Sequence, residues 1–160
     1  MNRQPSLVGE LVEARPLVER DFAELYVAAA DPLLWEQHPE KDRWREDVFR
    51  VYFDDHLASG GALAIIERAS GALIGATRYD NFDPERSEVE IGWTFLARPY
   101  WGGAYNADLK RIMLEHAFQS VRTVVFLVGE NNLRSRRAVE KLHAVENGRR
   151  RDMVLYKLSR

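Results

Sequence analysis

EVEIGWTFLARPYWGGAYNADLKRIMLEHAF, residues Glu88 to Phe118, joins three patterns without a spacer. Val89, Ile91, Trp93 and Phe95 alternate with Glu88, Glu90, Gly92 and Thr94, which predicts a half-buried strand with the apolar row on one face. Pro99, Gly102 and Gly103 then mark a turn, and Leu109, Ile112, Met113, His116 and Ala117 recur at helical spacing. The first amides of a helix have no partner within it, and the macrodipole concentrates positive charge at the same end. Because Gly102, Gly103 and Ala104 carry little or no side chain, a pyrophosphate can approach their backbone and collect several amide hydrogen bonds. The plain alternative is a tight strand-to-helix connection that holds nothing.

The turn is not a Walker loop, since no Gly-Lys-Ser/Thr follows, and it lacks the spaced three-glycine dinucleotide fingerprint. ATP and NAD are therefore poor candidates for the phosphate carrier. Downstream, the apolar run Val124 to Val128 suits a buried strand, and Asn132, Leu133, Arg134, Ser135, Arg136 and Arg137 open a helix that closes on Glu140, Lys141 and Leu142. Asn132 is a fitting N-cap and Ser135 a first-turn residue whether or not a ligand binds there.

Together these segments resemble the acyl-coenzyme A site of the GCN5-related N-acetyltransferase superfamily, whose turn reads Gln/Arg-x-x-Gly-x-Gly/Ala. Gly102 and Ala104 match the last two fixed positions; Pro99 stands where Gln or Arg is usual, with Arg98 one residue early. Tyr100, Trp101 and Gly102 resemble the branch of ribosomal-protein alanine and serine N-terminal acetyltransferases, and Asn132 with Ser135 resembles the family's Asn-x-x-Ser helix start. The resemblance covers nearly the whole chain. It implies a mixed α/β (α+β) fold with a largely antiparallel central sheet, flanking helices and a splayed parallel strand pair. It also implies acetyl-CoA as cosubstrate, with Trp93, Thr94, Phe95, Arg98, Trp101, Gly102, Gly103, Ala104, Tyr105, Asn106, Asn132, Ser135 and Arg137 around it. Gly92 marks a candidate bulge for the splay, although a strand glycine can equally reflect close packing.

Acetyl transfer to an amine needs a proton removed. An alkyl ammonium has a pKa of about 10, and an α-ammonium of about 8 needs less help. The thioester oxygen gains negative charge and calls for aligned donors, and the departing thiolate calls for an acid. Glu90, with Glu88 second, is the candidate base, and two carboxylates on one partly buried face could raise each other's pKa. Either could also be an ordinary strand carboxylate. Ser135 is the candidate acid, with Tyr156 the alternative; each could instead be a structural hydroxyl. Trp35, Trp44, Tyr52 and Tyr79 are candidates to line an acceptor cleft, or core. His143 stands where this branch often has Gly, and the hairpin from Glu146 to Tyr156 is short, so a protein N-terminus and a small-molecule amine both stay open as acceptors. The other class of function is a sensor or interaction module that binds coenzyme A without turnover.

Elsewhere the spacing predicts a strand over Glu10–Arg15, a helix with Phe22, Leu25, Tyr26 and Ala29 inward, a helix from about Asp42 to Leu57, and strands over Ala62–Glu67 and Leu73–Tyr79. With 160 residues, 46% hydrophobic content and no linker-like run, one domain over residues 1–160 is expected. The chain has no cysteine, which excludes thiolate metal sites and a cysteine nucleophile, and with its four histidines scattered and none paired at helical spacing, no metal is expected. A net charge of −2 gives no reason to expect nucleic acid, and the basic run Arg134, Arg136, Arg137, Lys141, Arg149, Arg150 and Arg151 is interrupted by acids. No long apolar segment is present, so a cytoplasmic enzyme without membrane partners is expected, as a monomer or homodimer.

Overall fold

A computed structural model describes the protein from Met1 to Arg160. One sheet contains β1 (Leu7–Val8), β2 (Val12–Pro16), β3 (Ala62–Glu67), β4 (Leu73–Asp83), β5 (Glu88–Leu96), β6 (Thr123–Val128), β7 (Val145–Arg150) and β8 (Met153–Ser159). Their order is β1-β2-β3-β4-β5-β6-β8-β7, antiparallel throughout except for the parallel pair β5 and β6. The helices are α1 (Phe22–Ala29), α2 (Glu46–Ala58), α3 (Ala104–Ala117) and α4 (Leu133–Glu140). This is the mixed, largely antiparallel α/β architecture, with one parallel pair, that the family resemblance implied.

Two apolar layers sandwich the sheet. Leu109, Ile112 and Met113 of α3 bury against Val89, Ile91, Val124 and Phe126 on one face. Leu25 of α1 and Phe49 and Phe53 of α2 bury against Ala64, Ala76 and Phe95 on the other. Each fully buried phenylalanine contributes roughly 2–3 kcal/mol of transfer free energy. Asp108, on the inner side of α3, ties that helix to the sheet edge by accepting the Leu11 and Val12 amides at 2.8 and 3.2 Å. Those bonds and Arg111 overcome the burial that would raise its carboxyl and hold it below the usual carboxylate range.

Some boundaries differ from the sequence expectation. The helix predicted from Asp42 begins at Glu46, because Arg45 is extended and residues before it close turns, the Arg45 amide bonding the Asp42 carbonyl at 2.9 Å. Glu46 and Asp47 then fall in the first turn, where the macrodipole favours acids. The first long strand starts at Val12 rather than Glu10, since Gly9 turns back onto Val12 at 2.8 Å. His116, expected on the buried face of α3, is half-buried: its ring lies 5.8 Å from that of Tyr79, and Nε2 reaches the Asn2 carbonyl at 2.7 Å.

The single apolar face expected for β5 is also corrected. Ala76 pairs with Phe95 but Arg78 pairs with Gly92, so Trp93 and Thr94 together oppose Thr77. This is a β-bulge, and Trp93 takes the left-handed φ of +50 within it. The inserted residue inverts the alternation: Val89 and Ile91 face α3, whereas Trp93 and Phe95 join the α1/α2 layer. Pairing of β5 with β6 covers only Glu88 to Glu90 against Thr123 to Val125, so the two strands part beyond that point.

After α4, His143 takes φ +66 while its amide bonds Glu140 O at 2.9 Å and the Ala144 amide bonds Val139 O at 3.3 Å. That is a Schellman ending with a non-glycine at the left-handed position. Replacing His143 by Gly should raise stability by about 0.5–1 kcal/mol in urea denaturation, as left-handed strain is relieved; a loss of stability would show that the imidazole makes up for it.

Candidate functional site

The turn between β5 and α3 leaves a row of main-chain donors unused. The amides of Gly102, Gly103, Ala104, Tyr105 and Asn106 make no hydrogen bond within the chain, and no side chain caps α3. Gly102 and Gly103 have φ of +111 and +109, and a Cβ built on either meets no atom within 4 Å. The conformation therefore calls for glycine while the space before it is open, a cradle that suits a diphosphate. The side chains around it are committed elsewhere. The Tyr105 hydroxyl donates to Glu67 at 2.9 Å, Trp101 Nε1 donates to the Leu96 carbonyl at 2.9 Å, and Arg98 forms an ion pair with Asp31. The Arg98 hydrogen bond holds the Asp31 carboxyl below its ordinary range, so that cation's charge is already spent beside the cradle.

On the other side of the opening, Asn132 caps α4 by accepting the Ser135 amide at 3.3 Å and is itself buried. The Ser135 hydroxyl has no partner in the chain, and Arg137 is exposed and unpaired. Arg134 lies over the Trp101 ring at 3.5 Å, which bridges α4 to the glycine turn. The Tyr156 hydroxyl sits in the core, donating to Glu140 and accepting from Arg136 Nε, each at 2.9 Å. It is bonded on both sides and has no free proton to present.

Glu88 and Glu90 project from the same face of β5 and are both buried. Glu88 is not raised as the sequence allowed. Burial works to raise Glu88, but Lys157 at 3.0 Å and Arg150 at 3.2 Å outweigh it and hold the carboxyl below the usual range. Glu90 uses one oxygen for both of its donors: Arg151 at 2.6 Å and Asn81 Nδ2 at 2.7 Å reach Oε2. Oε1 receives no donor and lies beside Gly92, where a Cβ would be 3.6 Å from it. The basic run of the last quarter thus consists largely of ion pairs, Arg149 with Glu130 and Arg136 with Glu146 among them.

One group carried no signal in the apolar pattern. Lys110, a charged residue one position past the apolar Leu109, turns inward beneath β5, where only Thr94 Oγ1 meets its amine, at 2.9 Å. Burial pulls its pKa down from 10.5 to about 7. Tyr52 of α2 donates to the Trp93 carbonyl at 2.8 Å and contacts His56 Nε2 at 3.2 Å. A carbonyl only accepts, so the phenolic proton is directed to Trp93, His56 donates from Nε2, and its buried Nδ1 is left as an acceptor with no partner. Burial lowers the His56 pKa to about 3. Beside the Trp93 bulge, a cavity of about 460 Å³ is lined by Tyr52, Trp93, Arg43, Glu40 and Asp55 among others. Tyr52 lines this cleft as the aromatic pattern allowed, and Trp35 packs behind it at 6.4 Å, whereas Tyr79 lies in the layer beneath α3 with its hydroxyl on the Met113 carbonyl. No group of three or more His, Cys, Asp or Glu side chains is placed to hold a metal, and no helix is long and apolar enough to cross a membrane.

Comparison with known proteins gives a consistent result. The family model described as an acetyltransferase (GNAT) domain matches residues 12–145. Among solved structures, a GCN5-related N-acetyltransferase from Brucella melitensis superposes with a TM-score of 0.86 at 20% identity, over 98% of this chain and 79% of that one. The acetyltransferase from Agrobacterium tumefaciens gives 0.77 at 23% identity, over 98% and 95%. Mycobacterium smegmatis RimJ in complex with CoA-disulfide gives 0.72 at 18% identity, over 97% and 86%. No curated protein sequence matches.

The two buried bases make stability depend on pH in a defined direction. Each is easier to protonate when unfolded, so stability should fall as pH drops from about 10.5 to 7 through Lys110, and again from 6.5 to about 3 through His56. Urea midpoints across pH 6 to 10 should rise for the parent and flatten for Lys110→Met; identical slopes would mean that Lys110 stays charged in the folded protein.

Proposed function

The chain belongs to the GNAT acetyltransferase family, and from that premise we propose that residues 1–160 act as one domain that moves the acetyl group of acetyl-CoA to a primary amine. The observation that carries this reading is the row of five unpartnered amides from Gly102 to Asn106 beside a pair of strands that part after Glu90. The amides suit the diphosphate, and the opening between β5 and β6 admits a narrow arm reaching toward the bulge. Trp101, with Arg134 stacked on it, Asn132 and Ser135 flank the path from the α4 side.

Bound there, acetyl-CoA supplies an acyl group activated as a thioester. The main chain at Trp93, Thr94 and Phe95 orients donors toward the thioester oxygen as negative charge grows on it. Glu90 accepts the proton of the incoming ammonium at Oε1, directly or through water, while Arg151 and Asn81 hold Oε2 still. The amine lone pair makes the new C–N bond as the C–S bond breaks. The Ser135 hydroxyl donates toward the leaving sulfur, which departs as the thiol with the proton that the newly acylated nitrogen gives up. Glu88, with cations on both oxygens, and Tyr156, bonded on both sides, support the geometry and take no part in proton transfer.

Two experiments test this. Acetyl-CoA and CoA should raise the melting temperature while NAD and ATP do not, and Gly102→Val should remove that shift, because a branched residue cannot adopt φ +111 without moving the cradle. An undiminished shift in the variant would displace the phosphates from this turn. Glu90→Gln should lower kcat by about 100-fold at pH 7 with an alkyl amine, and the deficit should shrink toward pH 10 as the free amine becomes abundant. Tight acetyl-CoA binding without thiol release to any amine would favour the sensor instead.

A further inference from the structure

The cavity beside the bulge carries two charges that the fold does not use. Arg43 lines it with its guanidinium 4.5 Å from the centre of the Tyr52 ring and 5.3 Å from that of Trp35, and the guanidinium makes no hydrogen bond or ion pair within the chain. This sets it apart from the arginines nearest to it. Arg45 pairs with Asp47 at 3.3 Å, and Arg78 pairs with Asp55 at 2.9 Å and with Asp80. Arg43 is therefore a planar cation held by aromatic faces, with its edge donors free, the form that recognises a carboxylate in two-pronged fashion.

Of the carboxylates lining the same cavity, Asp47 and Asp55 are spent on Arg45 and Arg78, and Glu40 alone has no cation partner. One free cation and one free anion thus border a space of about 460 Å³, within the range of small-molecule sites. Val48, Val51 and Trp93 give the rest of the wall an apolar character. Contact continues from Arg43 to the Tyr52 ring and from the Tyr52 hydroxyl to the Trp93 carbonyl, so a ligand gripped by Arg43 is registered against the bulge where acetyl transfer is placed.

We propose that the acceptor is a small amine that also carries a carboxylate, an apolar α-amino acid in its simplest form, with its carboxylate on Arg43 and its ammonium near Glu40 before it loses a proton. A protein N-terminus has its first carboxyl tied up in a peptide bond and offers Arg43 no such partner. The assignment rests on the N-acetyltransferase reading of the same site.

The test compares leucine, methionine and phenylalanine with their amides, following thiol release at saturating acetyl-CoA in the parent and in Arg43→Gln. At least one acid should exceed its amide in kcat/KM by about 10- to 100-fold, mostly through KM, and the variant should lose that preference while keeping its thermal shift with acetyl-CoA. Arg43→Lys should recover part of the preference, since it keeps the charge and loses the fork. Amides acetylated as well as acids, or a preference that survives in Arg43→Gln, would overturn the acceptor class and leave acetyl transfer standing. Thermal stabilisation by acetyl-CoA with no release to any amine would overturn both.

Discussion

The end of main-chain pairing between β5 and β6 at Glu90 is the constraint on which the candidate site depends. Two strands that stayed in register to Val128 would close the sheet and leave no path beside the glycine turn. The bulge at Trp93 and Thr94 bends β5 just past that point, and its left-handed Trp93 costs about 1–2 kcal/mol for a residue with a Cβ. The surroundings hold it in place: Tyr52 donates to its carbonyl, and Arg78 lies 3.8 Å from the centre of its ring. Each such contact offsets the strain by about 1 kcal/mol. Strain that is over-determined in this way is typical of positions where geometry matters more than stability.

Charge is arranged around that opening with the same economy. The short β7–β8 hairpin brings Arg150, Arg151 and Lys157 to Glu88 and Glu90, and so completes the buried side of β5. Pairs that set a buried carboxylate against a half-exposed cation add little net stability, because desolvation of the carboxylate consumes most of the attraction, but removing the cation strands the buried charge. Glu88 is locked by two cations, whereas Glu90 keeps an oxygen without a donor. The difference between two carboxylates two residues apart comes from which cations the hairpin delivers to each. On opposite faces of the sheet, Lys110 of α3 and His56 of α2 are bases without a carboxylate partner, and burial keeps both from holding a proton as readily as they would in water.

Where the sequence was read well, local physics was enough. The glycines at 102 and 103 announced a turn that only they can make, Asn132 announced a helix cap, and the alternation in Val89 and Ile91 announced a strand. The reading of β5 went astray at Trp93, because period-two alternation assumes that no residue is inserted, and a bulge is decided by pairing with β4. Tyr156 looked available as an acid for a similar reason. Its neighbours Arg136 and Glu140 lie on a helix that reaches it only after β6 and β8 have paired.

The sequence by itself determined the element order, the glycine turn and the family pattern, since these rest on residues close together along the chain and on backbone preferences that each residue carries with it. Tertiary structure alone decided which charges are free. Arg43, Lys110 and the second oxygen of Glu90 differ from their paired counterparts only in what folding brings near them, and electrostatics depends on distance in space, about which spacing along the chain says nothing.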